Sequence, residues 1–153
     1  MRYRRVVGLE SAVPCDRPSA IPKGRAMGAK AAGLRYERLV AGHLPAAHHG
    51  PWYRFIDLNG PGYCQPDLVW HRPGGIWVAD CKLTWTPYVI AQLGELYVPV
   101  LRLAHGRRVR PFIIAKNLTA ETPLSSIVGS VAEAIVSPHP FPVVHWIGRG
   151  PLD

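Results

Sequence analysis

The chain of 153 residues combines 48% hydrophobic with 18% charged residues, which is typical of a globular protein and not of a disordered one. That length suits one domain with its own hydrophobic core. Lysine and arginine outnumber aspartate and glutamate by 18 to 10, giving a formal net charge of +8 at pH 7. Most of the positive charge is arginine, which binds phosphate bidentately. The composition therefore favours nucleic acid as the partner over a solubilising charge excess or a membrane surface.

The first part of the chain divides into an arm and the start of a domain. Residues 1–24 carry several prolines and scattered charge, which indicates an irregular basic arm with one edge strand around residues 3–7. The domain proper is expected to cover residues 25–153. It begins with a helix over residues 25–44, where apolar residues recur with a period of about 3.6. A loop is expected to follow, up to Pro51.

Three strands are predicted next, at residues 52–58, 64–71 and 76–85. Asn59–Gly60 supplies the positive φ that a tight reversal requires, and Gly74–Gly75 marks a second turn. Short strands joined by such turns indicate a three-stranded antiparallel meander.

The second half of the chain alternates helices and strands. We expect a helix over residues 87–104 that Pro99 kinks or ends early. A strand over 109–117, a helix over 125–136 and a strand over 142–148 follow. This order predicts a single α/β domain with a mixed central sheet and helices on both faces.

The hairpin PDLVWHRPGGIWVADCK places two aspartates and a lysine at one end of the sheet. Asp80 and Lys82 are two residues apart, so their side chains share one face, and the antiparallel turn brings Asp67 beside Asp80. Two carboxylates, one backbone carbonyl and several waters suit Mg²⁺, which polarises phosphoryl oxygens and lowers the pKa of bound water. Lys82 would orient that water or stabilise charge on the phosphorus. The alternative is a structural Asp80–Lys82 ion pair at the sheet edge.

PD at 66–67 and D-C-K at 80–82, across an apolar hairpin, resemble the PD-(D/E)XK nuclease superfamily. The resemblance covers about residues 30–117. It implies the restriction-endonuclease-like αβββαβ core, with Asp67, Asp80 and Cys81 among the metal ligands and Lys82 as a catalytic residue. Mg²⁺ is the implied cofactor, with Mn²⁺ as its substitute.

Two helices extend this resemblance. G-L-R-Y-E-R-L-V at 33–40 is similar to the family's first helix, so Glu37 is implied as a catalytic residue and metal ligand. Y-V-I-A-Q-L-G-E-L-Y is similar to the Gln-and-Tyr helix of RecB-like members, which implies catalytic Gln92 and its partner Tyr97. Four residues separate this pair where the family has three, so a regular α-helix would not place both on one side. Solvated or helix-capping roles are the alternatives for Glu37 and Gln92.

The same resemblance indicates a DNA-binding surface. Arg35 and Arg38, on the first helix, and Tyr88 and Tyr97 are the candidate nucleic-acid-binding residues. Core or rim packing is the alternative for the two tyrosines.

The resemblance implies a metal-dependent deoxyribonuclease. The chain has no room for a separate sequence-reading domain, so phosphate contacts and shape should dominate recognition. This favours a structure-selective enzyme of recombination, repair, junction or DNA-end processing, with a phage as a candidate source. Small junction resolvases act as dimers, so a homodimer is the candidate assembly. A restriction endonuclease and a non-catalytic nucleic-acid-binding module are the alternatives. An unrelated α/β enzyme is disfavoured, because P-loop, GxGxxG and GxSxG motifs are absent.

Several remaining features exclude other sites. The three cysteines, Cys15, Cys64 and Cys81, lack the paired spacing of a zinc or iron–sulphur site and are expected to be reduced. The His48–His49 pair has no second pair at ligand spacing. Asp57, at the end of the first predicted strand, is the alternative candidate for the place of Asp67 in the carboxylate site.

No apolar run approaches the roughly 20 residues that span a bilayer, and no secretory signal is evident. We expect a cytoplasmic protein, in a bacterial or phage-infected host cell, without a membrane partner.

Overall fold

The computed structural model describes residues 3–19, 29–139 and 141–153. The described residues form nine strands: β1 (Ser11–Cys15), β2 (His48–His49), β3 (Trp52–Asp57), β4 (Gly60–Cys64), β5 (Leu68–Arg72), β6 (Gly75–Thr84), β7 (Val109–Asn117), β8 (Ile127–Val128) and β9 (Val143–His145). They also form four α-helices: α1 (Ala29–His43), α2 (Tyr88–Gln92), α3 (Val98–His105) and α4 (Val131–Val136). A π-helical segment, Leu93–Tyr97, joins α2 to α3, and a 3₁₀ turn, Leu124–Ser126, precedes β8.

The strands form two sheets. The small sheet is antiparallel, in the order β1-β3-β4, and the larger sheet has the order β2-β5-β6-β7-β9-β8. In the larger sheet β2, β5 and β6 pair antiparallel, whereas β6, β7, β9 and β8 pair parallel. Parallel neighbours need a crossover connection, and α2, the π-helical segment and α3 supply the one between β6 and β7. The predicted single α/β domain with a mixed sheet is confirmed.

Each face of the larger sheet packs into its own hydrophobic core. Val78 of β6 belongs to the core that also contains Leu93 of the π-helical segment and residues of the small sheet. Ala79, the next residue, belongs to the core that contains Tyr36 of α1 and residues of α4. Successive side chains of a strand point to opposite faces, so one strand supplies both cores. The predicted helices on both faces are therefore confirmed.

The predicted three-stranded meander is wrong. β3 pairs with β4, whose residues 60–64 we expected to form the turn and the start of the next strand. Asp57 pairs with Gly60, so the reversal needs only Leu58 and Asn59, and Gly60 takes a φ of 96°. The chain then leaves the small sheet, and β5 begins at Leu68 and pairs with β6 in the larger sheet. Pro66 lies in this break and cannot donate a ladder hydrogen bond.

The N-terminal arm contains a strand, but not at residues 3–7. β1 forms further along and pairs with β3. Residues 3–7 are held instead by individual bonds: Arg4 pairs with Asp57, and the Val7 N–H donates to Asp57 Oδ2 at 3.1 Å. The predicted helix at residues 25–44 is confirmed from Ala29 to His43, and residues 20–28 lie outside the described residues.

The predictions for the rest of the chain succeed unevenly. β7 has the predicted bounds, and β9 is a shorter version of the predicted last strand. Only the second half of the predicted helix over 125–136 is α-helical, because Ser130 caps α4 by accepting a hydrogen bond from the Glu133 N–H at 3.2 Å. The two-residue strand β2 lies in the predicted loop and pairs with β5.

Pro99 does not end the helical run, which continues to His105. A proline in a helix has no N–H for the carbonyl four residues earlier. Here that carbonyl belongs to Glu95, and it accepts a hydrogen bond from the Val6 N–H of the arm at 3.2 Å. The π-helical segment immediately before Pro99 changes the local hydrogen-bond register, as such bulges do. The expectation of an early end was therefore wrong.

Candidate functional site

The β5–β6 hairpin brings Asp67 to Asp80, as its sequence predicts. Leu68 pairs with Ala79, and Arg72 pairs with Gly75, so the register is unbroken from the turn to the far end. Asp67 immediately precedes Leu68, and Asp80 immediately follows Ala79. The two aspartates therefore face each other where β5 begins.

Asp67 is held in place by backbone and side-chain bonds. Its Oδ2 accepts a hydrogen bond from the Cys81 N–H at 2.7 Å. Its carboxyl also lies close to the carboxyls of Asp80 and Glu37. Two carboxyls can bond to each other only through a proton, so this proximity favours either protonation or a cation beside them.

Asp80 is the most enclosed charged group of the site, with 2% of its surface exposed. Its Oδ1 lies 3.6 Å from the Lys82 ammonium, whose side chain is 32% exposed. Its Oδ2 is buried and has no hydrogen-bond partner in the described chain. A buried carboxylate oxygen without a partner is costly, so this atom is suited to a ligand supplied from outside the chain.

Glu37 lies on α1 and reaches the aspartates from the side of the first helix. Its side chain is 17% exposed, so it is not an ordinary solvated helix residue. Besides Asp67 it contacts His49, whose Nε2 lies 3.0 Å from Glu37 Oε1. Sequence reasoning considered His49 only as half of a histidine pair. It missed this contact because β2, which carries His49, has no strand signal of its own.

The π-helical segment brings Gln92 and Tyr97 together. The two residues are five apart, and a π-helix bonds residue i to i+5, so this spacing places them on one side. Gln92 Nε2 donates to the Tyr97 hydroxyl at 2.9 Å. Gln92 Oε1 is buried without a partner, like Asp80 Oδ2. The expectation that the longer gap separates this pair is therefore wrong.

Glu37, Asp67 and Asp80 form an acidic cluster in which all three carboxyls have raised pKa values. Burial is the largest cause for all three, and mutual repulsion adds to it. The pKa of Asp67 is raised to about 6, and those of Asp80 and Glu37 are also raised. Burial first, and then the charges of Asp80 and Asp67, raise the pKa of the Tyr97 hydroxyl. Lys82 opposes the rise at each carboxyl but does not cancel it.

The donor set can be tested against a divalent cation. In the described ranges no group of three or more His, Cys, Asp or Glu side chains is arranged to hold one metal ion. Mg²⁺ does not need such a cage, since it commonly binds through one or two carboxylates and keeps several waters. The partnerless Asp80 Oδ2, with Asp67 beside it, offers hard oxygen donors of that kind. A cation there would also relieve the mutual repulsion of the carboxylates.

Cys81 and Asp57 differ in their relation to this cluster. The Cys81 side chain packs in the core with Tyr36, so only its backbone can serve the site. Asp57 lies in the small sheet, where Arg4 and the N–H groups of Val7 and Asn59 bind its carboxyl. These bonds lower its pKa although burial would raise it. The structure therefore assigns Asp57 to anchoring the arm and does not bring it to Asp80.

The candidate nucleic-acid-binding residues have different environments. Arg35 and Arg38 are exposed on α1, and Arg35 lines a shallow cavity together with Lys116. Tyr88 is 38% exposed, and its hydroxyl accepts a hydrogen bond from the Tyr3 N–H at 2.7 Å. Tyr97 is 6% exposed, so its ring offers no open face for stacking on a base. Its hydroxyl accepts the hydrogen bond of Gln92 instead.

Comparison of the chain with protein-family models, with curated proteins and with solved structures finds no match. None of the helices in the described ranges is both long and apolar enough to cross a bilayer.

Proposed function

We propose that the protein is a metal-dependent DNA nuclease with a restriction-endonuclease-like core of the PD-(D/E)XK type. The observation that carries the proposal is the buried, partnerless Oδ2 of Asp80, with Asp67, Glu37 and Lys82 gathered around it. The metal would be held by Asp67 and Asp80, with Glu37 beside them. When bound, Mg²⁺ or Mn²⁺ supplies a polarised phosphoryl oxygen and a water of lowered pKa.

The chain's own residues would orient the reacting groups. The Lys82 ammonium lies on the same side of β6 as Asp80 and is partly exposed, so it can reach both a water and a scissile phosphate. The Cys81 N–H fixes one oxygen of Asp67. Gln92 is held by its hydrogen bond to Tyr97, and its Oε1, which has no partner in the described chain, would be the polar atom that the helical side offers to the site.

Structure selectivity is the finer part of the proposal. The described residues form one α/β domain, and recognition by this domain would rest on phosphates and DNA shape, as in recombination, junction or end processing. The best first assay compares labelled linear, nicked, flapped and four-way DNA with Mg²⁺ or Mn²⁺. We expect cleavage that differs between these forms at equal length, and uniform cleavage at one base sequence would favour a restriction endonuclease instead.

Asp80→Asn is the decisive variant for the acidic cluster. It should abolish cleavage, because it removes a charged metal ligand, while retaining the fold and much of the DNA affinity. Glu121→Gln is the matched control, since Glu121 is exposed on a loop and its removal changes the net charge equally. Single-turnover cleavage and a thermal melt of each variant measure the effect. Wild-type cleavage by Asp80→Asn would refute the proposal.

Lys82→Ala separates catalysis from a structural ion pair. If Lys82 positions the water, cleavage should fall by on the order of 10² or more, while metal binding is retained. Lys82→Arg should restore little, because a planar guanidinium does not replace a compact ammonium. Lys30→Ala, at an exposed position of α1, is the control. Full cleavage by Lys82→Ala with a slightly lower melting temperature would identify the Asp80–Lys82 contact as structural only.

A further inference from the structure

Four arginines gather at the end of the larger sheet opposite the acidic cluster. We call Arg72, Arg107, Arg108 and Arg110 the arginine patch. Arg72 closes β5 at the hairpin turn, and the other three lie in the loop before β7 and at its start. The proposed nuclease site uses none of them.

Backbone contacts hold the arginine patch together. Gly75, with a φ of 147°, packs so closely that a Cβ there would lie 2.6 Å from the Arg108 carbonyl oxygen. That same oxygen accepts a hydrogen bond from the Ile76 N–H at 2.8 Å. The Arg107 guanidinium donates to the Arg72 carbonyl, which joins the loop to the hairpin turn. The arginines are therefore neighbours because of how the backbone folds.

One guanidinium lies over an aromatic ring, and a second arginine is the cross-strand neighbour of that ring's residue. The Arg72 guanidinium lies over the Trp77 ring, 5.0 Å from its centroid. Trp77 pairs with Arg110 across the parallel β6–β7 ladder, and Arg110 donates to the Ile135 carbonyl of α4 at 2.9 Å. An aromatic ring beside arginines is a common arrangement at surfaces that bind nucleic acid.

Among the described residues, no acidic side chain forms a salt bridge with the arginine patch. The salt bridges within the described ranges join Arg4 to Asp57, His49 to Glu37, and Lys82 to Asp80. The neighbouring histidines experience the positive field: burial first, and then nearby cations that include Arg107, lower the pKa of His71 and of His105. Clustering like charges without counter-charges destabilises a fold, so an anionic partner would relieve the repulsion.

A cavity of about 490 Å³ extends the patch toward α4. Its lining includes Arg108, Arg110, Ser137 and His139, which all carry hydrogen-bond donors. Among the described residues, the lining contains no aspartate or glutamate. Its size and donors suit a phosphate group with part of its sugar.

We infer that the arginine patch and this cavity form a second phosphate-binding surface for nucleic acid, separate from the carboxylate site. Gly75 and Asp80 are five residues apart on β6, about 17 Å at a rise of about 3.3 Å per residue. Trp77 and Asp80 are three apart, so they point to opposite faces of the sheet. The surface therefore contacts a different segment of the nucleic acid from the one at the carboxylates. The inference deepens the proposed function but concerns binding alone.

The test is DNA affinity of the double variant Arg72→Gln/Arg108→Gln. Both side chains are exposed, and neither forms a side-chain hydrogen bond in the described chain, so the fold should persist. The control is Arg5→Gln/Arg54→Gln, which removes two exposed charges from the arm and the small sheet. Binding to four-way DNA is measured in chelator, so that cleavage plays no part. Thermal melts verify the fold of both variants.

We expect the patch variant to raise the Kd about tenfold, and the control to change it much less. The slope of log K against log salt should become shallower by about 1.8 in the patch variant, since each neutralised phosphate contributes about 0.9. Equal losses in both variants would reduce the effect to net charge and overturn the inference. Unchanged DNA binding with lost binding of inorganic phosphate or a mononucleotide would mark a small-anion site and overturn it as well.

The outcomes also separate this inference from the proposed function. Patch-dependent DNA binding by a wild-type protein that cleaves none of the DNA forms would support the inference and refute the nuclease proposal. Metal-dependent cleavage together with equal DNA affinity of the wild type and the patch variant would support the nuclease proposal and refute the inference.

Discussion

Asp80 is buried and Asp67 is half-buried at positions where an apolar pair would give greater stability. Removing two carboxylates from water costs several kcal/mol unless they are protonated or paired, and one ammonium at 3.6 Å pairs only one of them. Because burial disfavours the charged form, the same cost appears as raised pKa values of both carboxyls. Residues that destabilise the free protein in this way are candidates for a functional site.

The raised pKa values predict how stability depends on pH. The Asp67 carboxyl keeps its proton up to about pH 6 in the folded state, whereas in the unfolded chain it loses the proton near the ordinary value of 3.8. The folded state therefore binds more protons in this window, and the free energy of unfolding contributed by Asp67 falls as pH rises, by roughly 1–3 kcal/mol. Asp80, whose pKa is also raised, extends the fall to higher pH.

Denaturant unfolding in chelator between pH 4 and pH 7 measures this effect, with Asp67→Asn as the comparison. The difference in the free energy of unfolding, wild type minus variant, should decline across the window. Taking this difference cancels the opposite trend of His71 and His105, whose lowered pKa values remove stability as pH falls. Added Mg²⁺ should stabilise the wild type at pH 7 more than the variant. Parallel curves would contradict the assignment.

At the level of elements, the π-helical segment determines the geometry of the helical side. In a regular α-helix two residues five apart point about 140° away from each other. The π-helical segment places residues five apart on one side, and Gln92 Nε2 meets the Tyr97 hydroxyl at 2.9 Å. Widened turns of this kind are frequent at functional sites.

A double-mutant cycle tests that contact. Tyr97→Phe leaves the buried Gln92 amide without its acceptor, so it should cost about 1–3 kcal/mol in the free energy of unfolding. Gln92→Met combined with Tyr97→Phe should cost less than the sum of the two, by at least about 0.5 kcal/mol. Gln92→Met with Tyr36→Phe is the control, because the Tyr36 hydroxyl bonds the Trp146 carbonyl instead. Additive costs for Gln92 and Tyr97 would show that the pair is uncoupled.

The sequence predicted those elements whose signals are local. The hairpin register that joins Asp67 to Asp80 follows from one glycine turn and strict alternation, and β7 follows from its apolar run. The predicted pairing of β3 with β5 is wrong, because a tight reversal pairs β3 with β4 and only tertiary packing decides which sheet receives the next strand. The His49–Glu37 contact and the π-helical segment depend on residues that are distant in the sequence, so no local pattern predicts them.

At the scale of the whole molecule, the surface is more positive than the net charge of +8 indicates. Five of the ten acidic residues are engaged inside the fold, in the acidic cluster or in anchoring the arm: Glu37, Asp57, Asp67, Asp80 and Glu95. The remaining five are exposed and spread along the chain: Glu10, Asp16, Glu121, Glu133 and Asp153. The cationic side chains therefore dominate the field that an approaching polyanion meets.

This charge distribution predicts that DNA affinity falls steeply with salt. Each phosphate that the protein neutralises releases condensed counterions, so log K should decline against log salt with a slope of about −0.9 per contact. Titrations of one duplex between low and moderate salt, in chelator, measure the slope, and Asp80→Asn should leave it nearly unchanged because Asp80 is buried. An apolar or sequence-reading mode of binding would give a nearly flat dependence. A slope near zero would therefore refute phosphate-dominated recognition, whatever the affinity at a single salt concentration.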